Sequence, residues 1–205
     1  MNKLDINVYD KIAQHFNNTR IYQWKWVTEF LNSVENGCIV YDIGCGNGRN
    51  MGNDRLLMYG IDSCKSFVKM CNQKGLNVFE ACMTSLPFRS ESADAIICIA
   101  SFHHLKTVEE RLKSLKEMKR VLKKNGTILL SIWSIQQPLK TRRVFHTYGD
   151  TIVPWNKYGE TFDRFYYIFK IEEFESLCKQ SELNIIKHVY DCGNELFYLI
   201  HTTKQ

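Results

Sequence analysis

A chain of 205 residues, 44% hydrophobic and 24% charged, is long enough for one well-buried domain and leaves little room for a second. It has no low-complexity tract, no internal repeat and no apolar run of membrane-spanning length, and residues 1–10 carry no apolar signal segment. These features speak against a membrane, fibrous or secreted protein, and a soluble, cytoplasmic one is expected, with nuclear presence left open.

The net charge of +5 is concentrated. Between residues 106 and 124 eight basic side chains (Lys106, Arg111, Lys113, Lys116, Lys119, Arg120, Lys123, Lys124) face three acids, and Lys140, Arg142 and Arg143 form a second cluster. Such clusters follow a phosphate backbone or simply mark a solvated face. The eight cysteines contain no CxxC pair, so they are expected as reduced thiols, with no zinc site in the chain.

Periodicity predicts two helices, over 7–16 and 22–31, ahead of the first strand. Residues 1–35 are expected to form a lid, with Arg20 available to an anionic group; a connecting loop with a solvated arginine is the alternative. Residues 38–43 read as a buried strand that ends at Asp42-Ile43 and breaks into Gly44, Gly46 and Gly48. Arg49 stands where a dinucleotide fingerprint needs its third glycine, so the pattern is GxGxG. Asp62 closes a second apolar run 18 positions after Gly44, an arrangement that suits an adenosyl group better than a pyrophosphate.

The expected order continues with a short helix after Gly48, a strand over 56–62, a helix over 63–74 and strands over 78–82 and 95–100. A helix over 107–122 follows, with Val108, Leu112, Leu115 and Met118 as its apolar stripe, and then a strand over 127–133. After an irregular stretch, 171–180 reads as a helix, and 185–190 and 196–201 as a hairpin about Cys192-Gly193. Alternation of this kind predicts an α/β, Rossmann-like fold whose ligand binds at the carboxyl ends of the strands.

Asp42 with Gly44, Gly46 and Gly48 resembles motif I of the class I S-adenosylmethionine (SAM) methyltransferases. That resemblance implies a seven-stranded, mostly parallel sheet with an antiparallel last strand and helices on both faces. It also implies a loop under the cofactor's methionine and ribose, with Asp62 accepting the ribose hydroxyls. Ile99 belongs to the same cofactor wall. Aligning Ser85-Leu86-Pro87-Phe88 puts Cys82 where many members carry an adenine-binding aspartate; a thiol accepts weakly, so the Met83 amide and packing are expected to hold adenine.

Further segments sharpen the likeness: 8–13 with Phe16 and Arg20, then Ser101-Phe102-His103-His104, Trp133, Val153-Pro154-Trp155, Arg164-Phe165-Tyr166-Tyr167 and 190–194. Together they resemble the eukaryotic tRNA wobble-uridine carboxymethyl methyltransferases over nearly the full length, in the stand-alone form. The resemblance implies methyl transfer from SAM to the carboxylate of 5-carboxymethyluridine in the tRNA anticodon loop. It also implies a small zinc-binding activator subunit that covers apolar surface and adds a strand beside the sheet. A single domain over 1–205 is expected, with 135–170 inserted on the substrate side. Arg20, His103 or His104, and Arg164 are the candidates for holding the carboxylate, and Trp133, Trp155 and Tyr166 for a dry aromatic wall. Each aromatic taken alone fits a core as well, and 164–169 also fits a simple amphipathic edge strand. The rival functions are a small-molecule methyltransferase and a non-catalytic SAM-fold scaffold.

Overall fold

Runs of β-branched and apolar residues bounded by turn residues build nine strands, seven of them in one sheet, in a computed structural model that describes residues 3–141 and 143–201. The seven are β1 (Ile39–Ile43), β2 (Leu57–Asp62), β3 (Val78–Glu80), β4 (Ala93–Ile99), β5 (Leu122–Trp133), β8 (Asn184–Asp191) and β9 (Asn194–Ile200), in the order β3-β2-β1-β4-β5-β9-β8. The pairs through β5 are parallel, and β9 runs antiparallel between β5 and β8. Strand order reverses between β1 and β4, and the crevice outside their carboxyl ends is where an open α/β sheet takes its ligand.

Successive residues of each central strand face opposite sides, so the sheet carries a core on each face. Ile96, Cys98, Ile128, Leu130 and Ile132 pack under α4 (Val108–Val121) and α5 (Ile171–Gln180). Val40, Ala95, Ile97 and Leu129 pack under α2 (Lys25–Ser33), which buries Trp26, Val27, Phe30 and Leu31, and beside α3 (Lys65–Gln73), which contributes Cys71. The second N-terminal helix is thus a core element, and only α1 (Lys3–Thr19) lies over the cleft, packing Tyr9, Ala13 and Phe16 on Phe67 and Cys64. Asp10 pins it there: its Oδ1 accepts the Ser66 amide at 3.0 Å and the Cys64 thiol at 3.2 Å, capping α3, whose own N-cap offers no side-chain bond.

Several expectations need correction. Turns replace the short helix expected after Gly48: Gly44, Gly46 and Gly48 all have positive φ, and Met51-Gly52-Asn53-Asp54 supplies no helical run. The irregular stretch contains a two-stranded sheet, β6 (Gly149–Lys157) and β7 (Glu160–Ile168), joined at Tyr158-Gly159 with φ of 49° and 87°. Positive φ at both central residues is the hairpin turn whose twist matches its strands.

The basic cluster of α4 is also largely engaged. Arg111 is buried, donates to the Leu105 and Lys106 carbonyls, lies 3.4 Å from the Tyr167 ring and pairs with Glu173. Lys119 pairs with Glu182, Arg120 with Glu117 and Lys123 with Asp94. Arg142 lies outside the described residues. The helix turns Arg111, Ser114, Leu115, Met118 and Val121 inward and leaves Val108 exposed, so its buried stripe is displaced from the one expected. It starts at a reciprocal cap between Thr107 and Glu110.

Candidate active site

One cleft of about 1050 Å³ opens at the carboxyl ends of the central strands, room for a cofactor and a second ligand together. Of the residues assigned to the cofactor from sequence, Gly44, Gly46, Asp62, Met83 and Ile99 line it. Of those assigned to the substrate, Arg20, His104, Trp133, Trp155, Arg164 and Tyr166 line it.

Asp42, Gly48, Cys82 and His103 stand behind the wall. A Cβ on Gly48 would meet Leu76 Cδ1 at 2.5 Å and Cys71 Sγ at 3.0 Å, so this glycine lets the loop close on α3 rather than on a ligand. The Cys82 thiol turns to Thr84 Oγ1 at 3.1 Å within a turn closed by the Ser85 amide, leaving Met83 to face the cleft. His103 is fully buried; its Nδ1 accepts the Trp133 amide at 3.2 Å, so Nε2 carries the proton. Burial, then His104, Arg164 and Arg143, hold its pKa well below the usual imidazole range.

In the cofactor half, a Cβ on Gly44 would lie 1.9 Å from Ser101 Oγ, so the loop crosses directly over the turn that follows β4. Asp62 accepts the Gly46 amide at 2.8 Å and the Cys64 amide at 2.9 Å, and the Ser63 amide also bonds to it, which fixes its carboxylate. Burial pushes Asp62 up to about 6. Asp42 is 1% exposed, neither oxygen has a partner among the described residues, and burial followed by Asp62 raises it to about 7 against the opposing pull of Arg49. Asp62, on the cleft wall beside the glycine loop, fits the ribose hydroxyls of SAM, while Asp42 stands behind that wall and adds negative charge beneath the loop.

In the substrate half, the β6–β7 hairpin faces the Ser101–Leu105 turn and α1. His104 donates from Nδ1 to the Phe165 carbonyl at 2.8 Å, so its Nε2 accepts the Tyr9 hydroxyl at 2.9 Å. Trp155 donates to His15 Nδ1 at 3.0 Å and stacks on Phe16. Trp133 and Tyr166 stack at 4.2 Å, nearly parallel. Arg164 is 6% exposed, with its guanidinium carbon 4.8 Å from the Trp155 ring; Nη1 donates to the Tyr166 hydroxyl at 2.7 Å, and Nε has no partner among the described residues.

Arg143, read from sequence as part of a basic cluster that follows a phosphate backbone or marks a solvated face, also lines the cleft, with its guanidinium carbon 4.1 Å from the Trp133 ring. Burial lowers the pKa values of Arg20 and Arg143, and the neighbouring guanidiniums depress them further. Three cations held close together beside aromatic walls constitute a receptor for anions.

Fold, glycine loop and paired acids define a class I SAM-dependent methyltransferase. Residues 41–130 match a methyltransferase-domain family model. A tRNA (carboxymethyluridine(34)-5-O)-methyltransferase of Schizosaccharomyces pombe is 33% identical over 210 residues, covering 91% of this chain and 91% of that protein. The Xenopus tropicalis tRNA (carboxymethyluridine(34)-5-O)-methyltransferase alkbh8 is 31% identical and covers 91% of this chain, but the chain spans only 39% of that protein's length, and 23% of its mouse counterpart's. The methyltransferase in a solved Haloferax volcanii complex with the Trm112 methyltransferase activator superposes with a TM-score of 0.68 at 13% identity, over 98% of this chain and 97% of that one. The chain belongs to the tRNA (carboxymethyluridine(34)-5-O)-methyltransferase family.

The raised acids have a measurable consequence. An acid whose pKa is higher folded than unfolded withdraws stability as pH rises from its unfolded value through its folded one, here from about 4 to 7. A ligand that donates to the ionised forms reverses this. SAM affinity measured by calorimetry is therefore expected to strengthen between pH 5.5 and 7.5, about tenfold as an order of magnitude, with Asp62→Asn flattening the dependence. A flat wild-type profile overturns this account of the two acids.

Proposed function

We propose that the chain methylates the carboxylate of 5-carboxymethyluridine at the tRNA wobble position, giving the methyl ester. The observation that carries this is the cluster of Arg20, Arg143 and Arg164 against Trp133, Trp155 and Tyr166, beside an intact cofactor loop. The names of the relatives support the same substrate.

When bound, SAM supplies an electrophilic methyl on a sulfonium sulfur. A carboxyl group with a pKa of about 4 is already ionised at neutral pH, so the residues need not remove a proton. Their work is to hold the anion in line, strip its water and keep bulk solvent out. Arg164, buried between two aromatic rings with Nε free, grips the carboxylate. His104, fixed at both ring nitrogens by Tyr9 and Phe165, keeps one side of the pocket rigid. Trp133 and Tyr166 offer faces to a flipped base. The ester product has lost its negative charge and with it most of its hold on the arginines, which favours release.

Helix α1 serves as the lid, and 135–170 as the substrate wall, of a single cytoplasmic domain spanning 1–205. A small zinc-binding activator sits at the free edge of β3, one of the two ends of the sheet, where Phe79 and Leu57 are exposed; the Haloferax neighbour was solved in a complex with the Trm112 methyltransferase activator. Among the described residues no helix is long and apolar enough to cross a membrane.

The deciding experiment is transfer of labelled methyl from SAM to tRNA lacking the wobble ester, with and without the activator, followed by nucleoside analysis. The ester is expected at that uridine, with turnover raised by the activator. SAM binding without transfer to tRNA, but with methylation of a free metabolite, would select the small-molecule reading. Failure to bind SAM would select the scaffold.

A further inference from the structure

The cleft holds more positive charge than one carboxylate can answer. Among the described residues lining it, the only acids are Asp62, committed to the glycine loop, and the exposed Asp150, while Arg20, Arg143 and Arg164 repel one another. The proposed reaction brings two carboxylates: that of the substrate base and that of the cofactor's methionine. Depth and neighbours divide the arginines between them. Arg164 is the most buried and faces the base pocket. Arg20 is on the cofactor side with Arg49, which lines the cleft just after the glycine loop: its own carbonyl accepts from Asn47 of that loop at 3.0 Å, and the two guanidiniums repel.

Arg143 is left without an anion. Its guanidinium lies 4.1 Å from the Trp133 ring, which in turn stacks on Tyr166, so Arg143 adjoins the aromatic pair assigned to the base. Among the described residues its single side-chain hydrogen bond is from Nη1 to Gln137 Oε1 at 3.3 Å, a long contact that leaves most of the guanidinium fork free. A planar guanidinium oriented by an aromatic ring and displaced outward from the base pocket matches a phosphodiester, which it binds through two parallel N–H···O bonds.

We infer that Arg143 is a phosphate subsite: it grips the backbone phosphate flanking the methylated nucleoside, so that the enzyme recognises a nucleotide rather than a base. This deepens the proposed function and rests on it.

The test uses the full chain with its activator and three substrates: 5-carboxymethyluridine, its 3′,5′-bisphosphate, and an anticodon stem-loop carrying that base. The bisphosphate is expected to exceed the nucleoside in kcat/KM by roughly tenfold or more, through KM, as one charge-assisted contact allows. Arg143→Gln should erase that preference and Arg143→Lys should keep part of it. Arg164→Gln should lower both small substrates together and leave their ratio intact. The slope of stem-loop affinity against log salt should also become shallower in Arg143→Gln by about 0.7–1, as follows when one phosphate is no longer neutralised by the protein. Equal reductions on nucleoside and bisphosphate, or an unchanged salt slope, overturn the subsite while the proposed reaction stands. Absence of transfer from SAM to the stem-loop by the wild-type complex overturns both.

Discussion

Arg164→Gln is expected to lower kcat/KM for methyl transfer to tRNA by roughly 10²–10³-fold, from about 3–4 kcal/mol lost when a buried charge-assisted contact is removed. The size follows from position. A surface arginine would be replaced by water and salt at little cost, but Arg164 is 6% exposed and flanked by Trp155 and Tyr166, so a carboxylate bound there has given up its water for this one fork. Arg164→Lys keeps the charge without the fork and should fall between the two. Folding should suffer little, because deleting one of three mutually repelling cations offsets the missing bond to the Tyr166 hydroxyl. Steady-state kinetics and SAM calorimetry on the same preparations separate a damaged substrate site from a collapsed cleft. A change in kcat/KM of less than threefold would remove Arg164 from the carboxylate site.

The cofactor half was the legible half because its chemistry lies in one stretch. Backbone conformations that only glycine adopts easily, an apolar run before them and an acid closing the next strand are all local signals, and α5 falls over the same residues its periodicity predicts. The substrate half depends on distant pairings. Val153 and Trp155 of β6, and Arg164, Tyr166 and Ile168 of β7, are buried at alternate positions; that period-two signal shows an amphipathic edge strand over 164–169, but Pro154 and a Tyr-Gly turn in place of Asn-Gly hid its partner β6. Arg111 and Arg143 looked alike as members of basic clusters. The first lies four residues before Leu115 and seven before Met118, on the buried stripe of α4, which is the signal that would have found it. Arg143 carried no such signal, since only the meeting of a loop with the end of β5 puts it over Trp133. Asp10 is a similar case: a helical acid on α1 caps a different helix 54 residues further along at Cys64.

Gly44→Ala is expected to abolish measurable SAM binding, at least a roughly 100-fold loss, and to destabilise the fold by about 2–5 kcal/mol. Two costs combine there. A φ of +74° puts any side chain in the left-handed region, for about 1–2 kcal/mol. The added methyl would then stand 1.9 Å from Ser101 Oγ and 2.6 Å from Ser101 Cβ, and while the hydroxyl can rotate away, the Cβ moves only with the backbone of the turn after β4. Ala100 already holds a φ of +51°, so this turn has little freedom to yield, and the same shift would displace His104 three residues on. Gly37→Ala separates the two costs: its φ is +80°, yet nothing lies within 4 Å of the added methyl, so only the backbone penalty should appear. Adding Ser101→Gly to Gly44→Ala removes both colliding atoms and should recover the steric part of the loss, leaving stability near that of Gly37→Ala. Denaturant unfolding and SAM calorimetry on these variants form one experiment. Equal losses in Gly44→Ala and Gly37→Ala, or no recovery in the double variant, would mean that the loop's approach to Ser101 does not set the geometry of the cofactor site.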